Sequence, residues 1–184
     1  MKPCPYPIAA LLPHEAPMIL LDHVIGMDPQ SLEAAVRVTA GRPFFEEGRG
    51  MPAHVALEWM AQACGAWAGA QALDAGAKIK FGLLLGTRSF RAECAWLEEG
   101  RMFTVHASQN YMDNEIGVFD CSVTDTTSGA EVAVAQLTVY QSDQIDHLLV
   151  HTNNLGSHGA NNFGDGGEQG HRARNCPAAC GRWL

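Results

Sequence analysis

Basic residues are scarce in this chain, and their scarcity limits what the protein can bind. The 184 residues include 12 lysines and arginines against 20 acidic residues, for a formal net charge of −8. Nucleic-acid phosphates require a basic stripe, so the composition predicts no nucleic-acid partner. An acidic partner protein would need a local basic patch. The candidates for such a patch are the basic residues that follow the apolar segment 51–76, namely Lys78, Lys80, Arg88, Arg91 and Arg101.

Long uninterrupted apolar runs are also missing. The run Ile8–Leu12 is short and is followed by Pro13, so it does not have the length of a secretory signal. The segment 51–76 is apolar but carries two glutamines, a histidine and a glutamate, which favours a buried helix over a membrane span. We therefore expect a cytoplasmic protein without a membrane span.

The cysteines have none of the spacings of a disulfide framework or a zinc site. Cys4, Cys64, Cys94 and Cys121 are isolated in apolar contexts, which predicts small buried hydrophobic residues. Two further cysteines and three histidines follow residue 150, but their spacing matches no known type of metal site. We expect no bound metal.

The chain divides into a patterned part and an unpatterned part. Residues 1–142 have the apolar periodicity of one domain, in agreement with the length. Residues 143–184 include a stretch rich in glycine, asparagine, histidine and arginine, with almost no periodicity. Such a composition buries too little surface to offset the entropy of ordering, so this tail is predicted to be disordered.

Apolar patterns in the first part predict several strands around one long helix. The helix is expected over Met51–Gly76, with Pro52 in its first turn and Gly76 at its end. The predicted strands are Met18–Gly26, Leu32–Thr39, Ile79–Glu93, Met102–Thr124 with a turn near Asp113–Gly117, and Glu131–Tyr140. Because the helix is apolar on nearly every side, the sheet must curl around it. An α+β domain with exposed sheet edges results, and edge pairing with a second chain would produce a dimer.

Glu58 is the acidic side chain in the middle of this apolar helix. Burial disfavours its charged form and raises its pKa, which suits a general acid or base. His54 stands four residues earlier on the same face, within side-chain reach. From the residues alone, the two are either a reaction centre or a buried structural pair.

Several segments resemble the (3R)-hydroxyacyl-acyl-carrier-protein dehydratases of the hotdog superfamily. They are LLPHEAPMILLDHV at 11–24, PFF at 43–45, PAHVALEWMAQA at 52–63 and LLLGTRSFRAE at 83–93. Residues 1–142 as a whole most closely resemble the ApeP-like subfamily associated with aryl polyene biosynthesis. The resemblance implies a hotdog fold, with the sheet wrapped around one central helix and active sites at a subunit interface. It further implies dehydration of 3-hydroxyacyl chains carried on the phosphopantetheine of an acyl carrier protein, with no other cofactor.

One departure from the family pattern affects the expected catalytic residues. Typical dehydratases have a His-Phe-Pro segment before the helix, and its histidine is catalytic. Here the segment reads PFFEEGRGMPAHV, which is shorter and has no histidine at that place. The catalytic carboxylate corresponds to Glu58, which would protonate the departing hydroxyl. His54 is the candidate for the missing base, and the alternative is a helix-terminal histidine that pairs with Glu58 or packs at a subunit interface. His14 belongs to the opening segment, where the family residue is structural.

The same comparison gives candidates for substrate binding. The backbone amides near Ala53 and Val55, at the start of the helix, are suited to polarise a thioester carbonyl. Gln62 matches the family's Met-Ala-Gln sequence and would hold either the carboxylate or a water. Gly86 allows a ligand to approach the backbone closely. Arg88 and the neighbouring basic residues are candidates for docking an acidic carrier, and the alternative is a solvated strand face.

Three functions remain open at the level of sequence. The first is a 3-hydroxyacyl thioester dehydratase, acting alone or as one subunit of a heteromer. The second is a non-catalytic structural subunit that pairs with a complete hotdog dehydratase, because the usual histidine is missing. The third is an acyl thioesterase, since some hotdog hydrolases work with one helix carboxylate and helix-terminal amides. The matching motifs favour the dehydratase.

Overall fold

The structure, a computed structural model, describes residues 1–142 and is built around one helix. Helix α1 spans Ala56–Asp74, and 12 of its 19 residues are buried, on every side of the helix. It stops where Gly76 adopts a left-handed φ of +67°, a conformation that favours glycine at helix ends. The predicted central helix and its glycine stop are therefore confirmed. The tail predicted to be disordered, 143–184, lies outside the described residues.

An antiparallel sheet of six strands wraps around α1. The order across this sheet is β1-β2-β6-β7-β8-β4, and β3 and β5 pair separately. The strands are β1 His23–Met27, β2 Ser31–Arg37, β3 Met51–Pro52, β4 Gly82–Ala92, β5 Trp96–Leu97, β6 Met102–Asp113, β7 Ile116–Asp125 and β8 Glu131–Gln141. The long apolar segment after residue 101 is two strands joined by a tight turn, as predicted. Strands β1 and β4 form the two edges of the sheet.

The first strand begins later than the sequence pattern indicates. A strand was predicted over Met18–Gly26, but β1 begins at His23. The reason is a long-range contact, because the Leu20 N–H donates to Oε1 of Gln62 and the Met18 carbonyl accepts from Nε2 of the same side chain. These backbone groups are therefore bonded to the central helix instead of to a neighbouring strand.

The start of the helix also differs from the prediction. The α-helix was expected from Met51, but Met51–Pro52 forms β3 and Ala53–Val55 forms a 3-10 turn before α1. Met51 pairs with Leu97, and the Ala53 N–H donates to the Ala95 carbonyl at 3.0 Å. This pairing holds the chain extended until Ala53 and fixes where the first turn lies.

The core forms where the inner face of the sheet meets α1. Burial alternates along β6 and β7, as expected for strands with one face on a core. Trp59 packs against Phe103 of β6 with ring centroids 5.8 Å apart, and Trp67 packs against Phe119 of β7 at 5.5 Å. Two aromatic pairs about two turns apart along the helix thus fix its position across the sheet.

The cysteines follow the prediction in part. Cys64 and Cys121 are buried with their Sγ atoms 3.7 Å apart, but Cys94 is exposed, so its predicted burial is wrong. Cys94 lies between β4 and β5, where the chain leaves the sheet. All four described cysteines are free thiols. Over residues 1–142, no helix combines the length and hydropathy needed to cross a membrane.

Candidate active site

A largely apolar cavity lies at the N-terminal end of the central helix. Its volume is about 390 Å³. The 3-10 turn and first turn of α1 form one wall, the loop before β3 contributes an aromatic ring, and β4 closes another side. The lining residues are Phe44, His54, Val55, Leu57, Glu58 and Leu84. The cavity therefore brings Glu58 and His54 to one space, as their spacing predicts.

Glu58 is the buried acid of this cavity. Its side chain is 4% exposed, and its Oε1 accepts a hydrogen bond of 2.8 Å from Nε2 of Gln62. Its Oε2 is buried and has no hydrogen-bond partner among the described residues. Burial raises the pKa of Glu58 to about 7, and the hydrogen bond from Gln62 partly opposes this rise. At neutral pH the carboxyl group is thus divided between its acid and base forms, as proton transfer requires.

Gln62 fixes which oxygen of Glu58 is available. Its side chain is fully buried. Its Oε1 accepts from the Leu20 N–H, and its Nε2 donates to the Met18 carbonyl and to Glu58, each at 2.8 Å. Because a backbone N–H can only donate, the amide cannot be flipped without losing the Leu20 bond. The predicted contact of Gln62 with substrate stays a prediction, whereas its contact with the carboxylate is direct.

His54 lines the cavity but does not pair with Glu58. Its side chain is exposed, and no hydrogen bond or ion pair joins the two residues in the described part of the chain. Gln62 binds Oε1 of Glu58, and Oε2 has no partner among the described residues, His54 included. The alternative of a buried His54–Glu58 structural pair is therefore wrong, while the predicted role of His54 as a base is still a prediction.

The helix-start amides are only partly available. The Ala53 N–H is bonded to the Ala95 carbonyl, so this predicted substrate donor is already used within the chain. The side chain of Val55 lines the cavity and brings its apolar surface there. In a 3-10 turn the N–H of residue i+3 donates to the carbonyl of residue i, so in the turn Ala53–Val55 this pattern uses the Val55 N–H at the Pro52 carbonyl. The remaining candidate for polarising a carbonyl at this turn is the His54 amide.

Gly86 and Arg88 lie on β4 away from the cavity lining. Gly86 is exposed, and a Cβ added there would meet no atom within 4 Å, so the backbone is open to a close approach from outside the chain. Arg88 borders a shallow basin of about 600 Å³ on the outer face of the sheet, together with His106, Asp120 and Gln136. Their predicted substrate contacts would need a ligand or partner that reaches beyond the cavity.

The basic residues proposed as a docking patch are partly engaged by acidic neighbours. Arg101 contacts the buried Asp125 with an N–O distance of 2.6 Å, and Arg91 contacts Glu93 at 2.7 Å. Arg101 precedes β6, which lies inside the sheet, whereas Arg91 lies on the edge strand β4. These ion pairs reduce the number of unpaired cations that a carrier protein would find among the predicted patch residues.

Three residues of the cavity lining, Phe44, Leu57 and Leu84, were not identified as site residues from the sequence. Phe44 was assigned only as part of a family match, yet its ring lines the cavity beside Glu58. Leu84 was part of a predicted strand with no site role. The sequence signal that could have identified Phe44 is its place after a proline and shortly before the glycines at 48 and 50.

His14 does not line the cavity. It is half-buried, its Nδ1 has no partner among the described residues, and burial lowers its pKa.

A sheet wrapped around a central helix defines the hotdog fold, and here a protonatable carboxylate lies in an apolar cavity at the helix start. The sequence model of the ApeP-like family, described as ApeP dehydratase, matches residues 6–150. The chain therefore belongs to the ApeP-like dehydratase family, and the resemblance read from its motifs is confirmed. Among curated proteins, no sequence matches this chain.

Solved structures agree with this assignment. The chain is similar to the dehydratase heterocomplex ApeI:P from Xenorhabdus doucetiae, with 27% identity and a TM-score of 0.72 over 79% of this chain and 97% of that chain. A hypothetical thioesterase from Streptococcus pneumoniae TIGR4 has 13% identity and a TM-score of 0.53, over 65% of this chain and 84% of that chain. The PaaI protein of E. coli has 14% identity and a TM-score of 0.50, over 64% and 80% respectively. These last two show the shared fold alone.

Proposed function

We propose that this chain dehydrates 3-hydroxyacyl thioesters carried on the phosphopantetheine of an acyl carrier protein, in the cytoplasm and in aryl polyene or fatty-acid-like elongation. The observation that carries the proposal is the state of Glu58. Its Oε2 is buried and unpartnered among the described residues, and its pKa is raised to about 7. A protonated carboxyl group that lines an apolar cavity can donate to a leaving hydroxyl with little competition from water.

The proposed reaction has two proton transfers, one from C2 of the substrate and one to the hydroxyl group on C3. A base removes the proton from C2, the C2–C3 double bond forms, and the C3–O bond breaks. Protonated Glu58 donates its proton to the departing hydroxyl, which leaves as water. The His54 amide at the start of the helix polarises the thioester carbonyl while negative charge develops on it. Gln62 holds Oε1 of Glu58, so that Oε2 is the donor.

The base is proposed to come from one of two places. His54 is the histidine that lines the cavity on this chain. A histidine of a second hotdog subunit is favoured by the exposure of His54 and by the lack of any bond between it and Glu58. The ApeI:P protein is a heterocomplex, and Leu84 of the edge strand β4 lines the cavity. A partner subunit paired along β4 would therefore border the reaction centre of this chain.

The test compares wild-type protein with Glu58→Gln on a 3-hydroxyacyl carrier protein, alone and with a candidate hotdog partner. The enoyl product is followed by mass spectrometry. We expect Glu58→Gln to reduce turnover by about 10²-fold or more, in line with the loss of a general acid. Wild-type turnover should fall as the pH rises above about 7, because the acid form of Glu58 is then depleted. Unchanged turnover in Glu58→Gln would refute the proposal.

Two further measurements distinguish the alternatives. If His54→Ala abolishes turnover of the isolated chain, His54 is the base. If His54→Ala is active only in the presence of a partner with an intact histidine, the partner supplies it. Release of free thiol instead of enoyl product would identify the thioesterase. Activity of the partner that persists fully with Glu58→Gln would identify a structural subunit.

A further inference from the structure

Phe44 lies in a turn whose geometry disfavours its side chain. The Phe45 N–H donates to the Arg42 carbonyl at 3.2 Å, which closes a four-residue turn with Pro43 second and Phe44 third. Phe44 has a φ of +68°. Proline second and a positive φ third are the marks of a type II turn, in which glycine or asparagine is normal at the third position. Phenylalanine at this place costs conformational free energy that glycine would not cost.

Both ends of the turn are held, so the strained residue has no freedom to relax. Nη1 of Arg42 donates to the Leu20 carbonyl at 2.8 Å, and Arg42 also forms an ion pair with Asp22. On the other side, Phe45 packs against the hydrophobic core. The backbone of Phe44 is thus fixed by its neighbours, and its ring is directed to the cavity. Strain that the surrounding structure maintains in this way is typical of functional positions.

The surroundings of the ring indicate what it contacts. Phe44 is 45% exposed, although it lines the same cavity as Glu58 and Leu84. Apart from Glu58 and His54, the cavity lining is apolar. A polar chain would lose hydration against such walls without gaining hydrogen bonds, whereas an apolar chain would cover the exposed ring face.

We propose that Phe44 is a specificity-determining residue that contacts the apolar part of the acyl chain beyond C3. This inference rests on the proposed function and adds to it the class of chain that the site prefers. The ring forms a wall against which longer apolar chains gain contact, while a chain that ends near C4 does not reach it. The strained turn keeps the ring in place before the substrate arrives, so no ordering is required on binding.

The test measures binding, which does not depend on turnover. The full chain is titrated by calorimetry with 3-hydroxybutyryl and 3-hydroxyoctanoyl pantetheine analogues in which an amide replaces the thioester. We expect wild-type protein to bind the octanoyl analogue more tightly, and Phe44→Ala to weaken that binding about tenfold while changing the butyryl analogue less than about twofold. Phe44→Leu should retain most of the preference, because it keeps apolar bulk.

Two controls separate the effect of the ring from that of backbone strain and from that of a general change at the surface. Phe44→Gly removes the ring and also the strain, because glycine adopts a positive φ freely. It should therefore bind like Phe44→Ala but melt at a higher temperature than Phe44→Ala. Ile25→Ala removes an equally exposed apolar side chain, also 45% exposed, on edge strand β1, and should leave binding unchanged.

The possible failures have distinct meanings. If wild-type protein binds neither analogue, alone or mixed with the candidate hotdog partner, the proposed function fails and this inference fails with it. If wild-type protein prefers the octanoyl analogue and Phe44→Ala keeps that preference, the proposed function stands and the role of Phe44 is refuted. Loss of subunit assembly in Phe44→Ala with unchanged ligand binding would also refute it, and would assign the ring to a protein contact.

Discussion

At the scale of single residues, the ionisation of Glu58 links stability to pH. Its pKa rises from the ordinary value of 4.5 to about 7 in the folded protein, mainly because of burial. The folded state therefore binds a proton more tightly than the unfolded state does. Between these two values the unfolded chain ionises while the folded one retains its proton. The raised pKa of Glu58 therefore contributes to the free energy of unfolding. This contribution is fully present below pH 4.5 and is lost as the pH rises through 7.

The variant Glu58→Gln should remove this pH dependence. We expect the free energy of unfolding of wild-type protein, relative to the variant, to fall by about 3 kcal/mol between pH 4.5 and 7.5. Urea denaturation at a series of pH values measures the difference. Glu47→Gln, which changes an exposed carboxylate, is the control and should keep the pH dependence of wild-type protein, because Glu58 is still present. If the free energy of unfolding changed with pH in the same way in wild-type protein and in Glu58→Gln, the raised pKa of Glu58 would be contradicted.

At the scale of elements, the N-terminal segment packs so closely on α1 that one helix position has room for glycine alone. A Cβ added to Gly69 would lie 2.1 Å from the carbonyl oxygen of Leu11, and Leu11 is fully buried. The neighbouring atoms are backbone, so they cannot move aside as a flexible side chain would. Close approach of the segment to α1 therefore depends on the missing side chain at Gly69.

The variant Gly69→Ala should destabilise the protein despite the higher helix propensity of alanine. We expect a loss of about 2 kcal/mol, since overpacking typically exceeds the gain of about 1 kcal/mol in propensity. Chemical denaturation measures the change. Gly86→Ala is the matched control, because an added Cβ there meets no atom within 4 Å. Equal stability of Gly69→Ala and wild-type protein would show that the segment is displaced at no cost.

At the scale of the whole molecule, the edge strand β4 is the expected interface. It pairs with β8 on one side, and its other side is unpaired within the described residues. Leu85, at a bulge in β4, is 57% exposed, and the four residues after it are exposed as well. An unpaired edge with an exposed apolar side chain is suited to pair with another chain.

The variant Leu85→Lys should weaken assembly with a second hotdog subunit or with a second copy. A charge at this edge would have to be buried on pairing, so we expect the fraction of dimer to fall at a given concentration. Sedimentation velocity of the chain, alone and mixed with the partner, measures it. Ile25→Lys places the same charge on β1, the opposite edge, and should not alter assembly. Loss of dimer in Ile25→Lys but not in Leu85→Lys would move the interface to β1.

Much of the fold was predictable from the sequence because it follows from local pattern. The apolar, small-residue segment around Glu58 favoured a buried helix over a membrane span, and the apolar pattern along β6 to β8 favoured strands with one face on a core. The start of β1 was mispredicted, because Leu20 forms its hydrogen bond with a side chain 42 residues away. No local pattern contains that information.

By itself, the sequence determined that a carboxylate would lie in an apolar helix within a curled sheet, and its motifs determined the family. Periodicity and composition decide the type and burial of the helix and strands, because the apolar pattern of each segment can be read from that segment alone. Only the tertiary structure decided that Gln62, and not His54, binds Glu58, that Arg88 lies outside the cavity lining, and that Phe44 lies at the cavity. Hydrogen-bond geometry and the direction of a strained turn depend on contacts between distant segments, and these exist only after the chain has folded.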